Sequence, residues 1–230
     1  MKIYSPIYMK KLRELTKKLN ITMIVDEIAM GFGRTGKMFA SEWAGITPDI
    51  MCVGKALTAG YYPMSIVIMT QEIFDSFYSD YLEGKSFLHS HSFSGNPIGC
   101  RIALEVLNIF EEENMLEQIN KKGEYLRKKA EEIFKDKDYI GEIRQIGLMG
   151  ALEIVKDSKT KERFESSDRA GYEIYKIAMK HGAILRPLGD TMYFMPPFII
   201  TYEEIDKMLE ICKISIEEYI NSVSYTHLTL

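Results

Sequence analysis

The sequence predicts an α/β protein in two parts: an α/β portion to about residue 115, then a smaller α+β domain over residues 116–220. Three observations carry this. Short apolar runs at 22–26, ending in an acid, and at 49–53, running into Gly54-Lys55, read as buried parallel strands. Helical patterns alternate with those runs over the first half. Beyond residue 115 the composition shifts to a Gly-broken strand, helices and a hairpin signal.

Taken in order, residues 5–19 read as a helix with Ile7, Leu12 and Leu15 on one face. Thr22–Asp26, Asp49–Val53 and Ser65–Met69 read as buried strands, and Phe39–Ala44 as a short helical turn whose Phe39 and Trp43 pack together. Thr70 is placed to cap a helix over 71–78. Residues 83–96 are polar and rich in Ser, Gly and His, so they form a loop. Pro97 opens a long helix to about Glu111, and another runs from Met115 to Phe134. In the second part, residues 143–154 are strand-like and broken at Gly147 and Gly150, and Arg169–His181 is helical. Ala183–Leu185 and Met192–Met195 form strands around the turn signal Gly189–Asp190. Thr201 and Glu204 complete a capping box for the final helix. Residues 221–230, uncharged and without helical pattern, are expected to be a non-native or disordered tail from a cloning or read-through artefact.

Composition narrows the function. The 230 residues carry 29 basic and 33 acidic side chains, a net charge of −4, which gives no electrostatic reason to expect nucleic acid or an anionic membrane as partner. No apolar run approaches the roughly 20 residues of a membrane span. The Lys-rich, amphipathic start lacks the apolar stretch of a signal peptide. Three scattered cysteines build neither a disulfide framework nor a zinc site, and a reducing cytoplasm is the natural setting. His89 and His91 lack a second pair of ligands, so no metal is expected.

Asp26 and Lys55 carry the chemistry. Each follows a predicted strand, where open α/β sheets bind ligands. Alone, the aspartate is as readily a helix cap, and the lysine most readily a solvated junction residue. Together they are what a pyridoxal 5'-phosphate (PLP) enzyme needs. The lysine forms a Schiff base with the cofactor aldehyde and moves protons, while the carboxylate keeps the pyridine nitrogen protonated.

At these residues the chain resembles a known family. Ile24–Gly36 (IVDEIAMGFGRTG) and Pro48–Leu57 (PDIMCVGKAL) resemble the signature of class III (ω-type) aminotransferases, and the interval of 29 residues between Asp26 and Lys55 suits that family. The resemblance extends from about Leu19 to Tyr219. It implies the PLP-dependent transferase fold type I, aspartate aminotransferase-like, here as a partial large domain plus the C-terminal small domain. It also implies a homodimer, in which Ser92, preceding Phe93 in the loop Phe87–Pro97, reaches across the interface to the cofactor phosphate. Unaided, those serines read as plain loop residues.

Leu185–Pro197 (LRPLGDTMYFMPP) is similar to the subfamily that aminates 8-amino-7-oxononanoate to 7,8-diaminononanoate in biotin biosynthesis. By that resemblance Arg186 binds the distal carboxylate of the substrate, Tyr193 lines the same pocket, and Arg34 lies near the active site. Their plain readings are a surface ion pair, strand packing and a loop brace. The family carries a substantial N-terminal portion with a phosphate-binding turn, a ring-stacking aromatic and the features that choose between S-adenosylmethionine and lysine as amino donor. None is found here, so Met1 is expected to lie inside a longer reading frame. Another class III aminotransferase, a racemase or decarboxylase on the same fold, and a non-catalytic α/β scaffold remain as other readings.

Overall fold

The computed structural model describes residues 1–227, which divide into two compact units. One is Tyr4–Glu117; the other comprises Met1–Ile3 and the chain from Gln118 onward.

The first unit begins with helix α1 (Pro6–Lys18), capped by the Ser5 hydroxyl, which accepts from the Ile7 N–H at 3.3 Å. Strands β1 (Ile24–Asp26), β2 (Ile50–Val53) and β3 (Ile66–Met69) form one sheet in that order. β1 runs parallel to β2, pairing Asp26 with Cys52, and β3 is antiparallel to β2. Helix α2 (Gln71–Asp75) is shorter than expected. Thr70 occupies its cap position, yet its side chain makes no capping bond. Helix α3 (Pro97–Glu112) is capped by Asn96, whose side-chain oxygen accepts from the Ile98 N–H at 2.9 Å. It buries Gly99, Ala103, Val106 and Phe110, one stripe at helical spacing.

The strands differ from expectation in burial. Every residue of β3 is exposed, and β1 is largely so. Apolar content reports what a strand will bury once both faces are covered, not which layers cover it. The turn over residues 40–44 is a 3-10 helix, in which positions four apart do not align. Phe39 accordingly packs edge-on against Phe32, with ring centroids 5.7 Å apart, while the Trp43 indole N–H donates to the Thr35 carbonyl at 3.1 Å.

The second unit is led by helix α4 (Met115–Phe134), which starts just before the division. Its sheet contains β4 (Ile140–Ile146), β5 (Met149–Ile154), β6 (Arg186–Leu188) and β7 (Thr191–Phe194) in the order β4–β5–β7–β6, all antiparallel. The stretch expected as one broken strand is thus a hairpin turning at Gly147–Leu148. The β6–β7 hairpin turns at Gly189–Asp190, and so tight a turn fixes Leu188 opposite Thr191. That moves β6 three residues beyond its expected place. Helices α5 (Ala170–Lys180) and α6 (Tyr202–His227) complete the unit. Thr201 and Glu204 exchange both bonds of the capping box, at 2.8 and 3.2 Å. The core is built from Phe134, Leu152, Ile174, Met192 and Leu209, all fully buried.

α6 continues to His227, through residues expected to lack helical structure. Once a helix is nucleated, each added residue gains a backbone bond, so a weak side-chain pattern does not stop it. Residues 228–230 of the expected tail lie outside the described residues. No helix among the described residues is long and apolar enough to cross a membrane.

Candidate active site

The carboxyl ends of the parallel strands β1 and β2 bring Asp26 and Lys55 to the same end of the sheet. The parallel register sets Asp26 beside Cys52, and the next N–H, of Glu27, donates to the Cys52 carbonyl at 2.9 Å. The strands therefore end level, with Lys55 three residues past the pairing. One Asp26 oxygen accepts from the Ile28 N–H at 2.9 Å. Ile28 in turn abuts Gly54: a Cβ on Gly54 would stand 3.5 Å from its side chain. The loop leaving Asp26 and the residue preceding Lys55 are thus in contact. Both side chains, Asp26 and Lys55, are exposed, and among the described residues neither has an ion-pair partner.

Lys55 adopts a left-handed backbone conformation, with φ 44°. It opens a 3-10 turn, Lys55–Thr58, closed by the Leu57 N–H on the Gly54 carbonyl at 3.0 Å. The buried Thr58 hydroxyl donates to the Tyr62 carbonyl at 2.5 Å, and α3 packs against this turn with Gly99 against the Tyr62 ring. A lysine in so unfavourable a conformation is held there by its surroundings.

The loop after Asp26 is braced by a residue the sequence reading passed over. Glu27 is almost wholly buried, and its two oxygens accept from the Ala40 and Ser41 N–H groups at 3.0 and 2.8 Å. Its signal was an acid directly after a strand and ahead of a Gly-rich loop. Within that loop, burial pushes the Arg34 guanidinium down to about 10, so it remains charged at neutral pH.

Ser92 and Phe93 lie in an exposed turn, where the Asn96 N–H donates to the Phe93 carbonyl at 3.1 Å. Among the described residues no hydrogen bond or ring contact joins either one to Asp26 or Lys55. In the second unit Arg186 and Tyr193 are cross-strand partners, with the guanidinium 5.5 Å from the ring centroid. Among the described residues there is no cluster of three or more His, Cys, Asp or Glu suited to a metal ion.

Comparison with known proteins gives this geometry a context. The family profile described as "Aminotransferase class-III" matches residues 1–216. The adenosylmethionine-8-amino-7-oxononanoate aminotransferase of Geobacter sulfurreducens is 43% identical over 203 residues, covering 88% of this chain and 45% of the relative. The crystal structure of the enzyme of that name from Methanocaldococcus jannaschii superposes with a TM-score of 0.85 at 35% identity, covering 92% of this chain and 49% of that one. The ω-transaminase of Pseudomonas jessenii, solved in complex with PMP, gives 0.89 at 33% identity, covering 94% and 48%. The chain thus spans about half the length of the relatives it matches. It belongs to the class-III aminotransferase family.

Proposed function

We propose that this chain supplies the lysine and aspartate of a PLP-dependent transamination site, acting on 8-amino-7-oxononanoate in cytoplasmic biotin biosynthesis. The supporting observation is the parallel ending of β1 and β2, which presents an amine and a carboxylate, both exposed and without an ion-pair partner among the described residues, at one end of the sheet. Those two groups fit the cofactor: an unpaired amine is available for covalent attachment, and Asp26 keeps one carboxylate oxygen beyond its bond to Ile28.

Pyridoxal phosphate, when bound, supplies an electron-accepting ring and an aldehyde that carries the amino group. Asp26 would hold the ring nitrogen in its protonated form, and Lys55 would hold the cofactor at its aldehyde carbon and carry the proton at the substrate carbon. The Ser92 hydroxyl, beside Phe93, is assigned to a phosphate oxygen from across a homodimer interface. Arg186, stacked on Tyr193, is assigned to the distal carboxylate of the substrate, which a guanidinium can grip through two parallel bonds. Arg34, charged and largely buried, is assigned to the same substrate.

Borohydride reduction in the presence of PLP, followed by peptide mapping, should place the label on Lys55, and Lys55→Ala should remove it. A label on another lysine in the unaltered chain sinks the assignment. The likeness to the P. jessenii ω-transaminase supports a second reading, a class III enzyme acting on an ω-amino acid or diamine. Amine transfer to 8-amino-7-oxononanoate, measured against other keto acceptors in an enzyme of full family length, separates the two.

A further inference from the structure

The second unit holds a cleft of about 520 Å³ that contains none of the residues assigned above. It opens between the end of β5, the loop that follows, the first turn of α5 and the β6–β7 turn. Its volume lies within the range of small-molecule pockets.

Its charged groups are unequally satisfied. Glu153 accepts from Arg144 on one oxygen at 2.5 Å and from Arg163 on the other at 2.9 Å. The Asp190 carboxylate accepts the Gly171 N–H. Glu153 is therefore bonded on both oxygens, and burial pushes the Asp190 carboxyl above its usual value. The cations of the cleft keep capacity in reserve. Arg163 spends one N–H group on Glu153, and its side chain is 74% exposed. Arg169 lies over the Tyr172 ring, 4.3 Å from the centroid, and has no ion-pair partner among the described residues. A guanidinium carries five N–H donors, so the unused bonding in the cleft is donor bonding, and its complement is an oxyanion. The Ser166 hydroxyl lines the same space.

The walls are fixed. A Cβ on Gly171 would overlap the Gly189 carbonyl oxygen, so the start of α5 is pressed directly onto the β6–β7 turn. The Tyr172 ring, with Arg169 4.3 Å and Lys176 5.4 Å from its centroid, lines the cleft together with the apolar Pro187 and Leu188.

We propose that this cleft binds a small oxyanion, carboxylate or phosphate, borne on a flat apolar body, with the charge on Arg163 and Arg169 and the body against Tyr172. The test titrates the full chain with benzoate, phenyl phosphate and inorganic phosphate at low salt, followed by calorimetry. At least one aryl probe should saturate one site with Kd on the order of millimolar, as a probe this small allows. Arg163→Gln and Arg169→Gln should each weaken it about tenfold, a typical loss for one charge-assisted bond. Lys128→Gln, which alters an exposed cation on α4 outside the cleft, should leave it unchanged. Benzoate against phenyl phosphate tells which head group is preferred. Circular dichroism checks that both variants fold, which their exposed positions favour. Three results overturn the proposal: no saturable binding of either aryl probe, retention of binding in both cleft variants, or loss of binding in Lys128→Gln. Inorganic phosphate binding as tightly as phenyl phosphate overturns the apolar wall.

Discussion

Replacing Asp49 with Asn tests what holds the frame of the candidate site. Asp49 sits just before β2. Its two oxygens accept from both terminal nitrogens of Arg13 at 2.6 Å, and one also accepts from the Met23 N–H at 2.7 Å. One carboxylate thus ties α1 to the starts of both strands that present Asp26 and Lys55. The Arg13 side chain is 11% exposed and that of Asp49 24%. The hydrogen bonds from Arg13, then that from Met23, hold the Asp49 carboxyl down to about 2, from 3.8. By linkage that drop corresponds to at most ~2.5 kcal/mol, and partial solvent access reduces it to ~1–2 kcal/mol. Because the folded carboxyl is the stronger acid, the unfolded chain takes up its proton first. The contribution is therefore complete above about pH 4 and lost as pH falls through about 2. Asn also leaves the Arg13 guanidinium without its counter-charge, so the total cost at pH 7 should be ~2–4 kcal/mol. Urea denaturation of both proteins, followed by circular dichroism from pH 7 to pH 3, reads this directly. A difference under about 0.5 kcal/mol at pH 7 would refute the reasoning. So would a gap that does not narrow as pH falls below 4.

Two further outcomes follow from the same contacts. Glu27→Ala strands two buried N–H groups and should cost ~2–4 kcal/mol in urea, while Glu27→Gln, which keeps one acceptor, should cost less; equal losses would contradict the role given to its two oxygens. Cys212 is fully buried and its thiol is pushed up by that burial, so it should alkylate after the part-exposed Cys52 and Cys100 in native-state mass spectrometry; labelling of Cys212 first would contradict its burial.

Much of the frame was legible in the sequence because local chemistry writes it. Pro97 marks one helix start through its fixed backbone, and Thr201 with Glu204 marks another through side chains that bond the first N–H groups; both helices begin there. The runs ending at Asp26 and Val53 form adjacent parallel strands, with Asp26 opposite Cys52 and Lys55 three residues beyond it. Exposure of β3 was not legible, since burial depends on which layers cover a strand. Glu27 escaped notice because a buried acid and a solvated one look alike until their partners are known. The cleft beside Tyr172 joins residues from β5, α5 and the β6–β7 turn, which no local pattern connects.

The left-handed backbone at Lys55 sets stability against chemistry at a single position. Glycine accepts that geometry without steric cost, whereas a side chain there costs about 1 kcal/mol. Lys55→Gly should therefore melt at a higher temperature than Lys55→Ala, although both lack the amine. Selection for robustness alone would favour glycine here, so the chemistry proposed for the lysine is what would have to outweigh that cost.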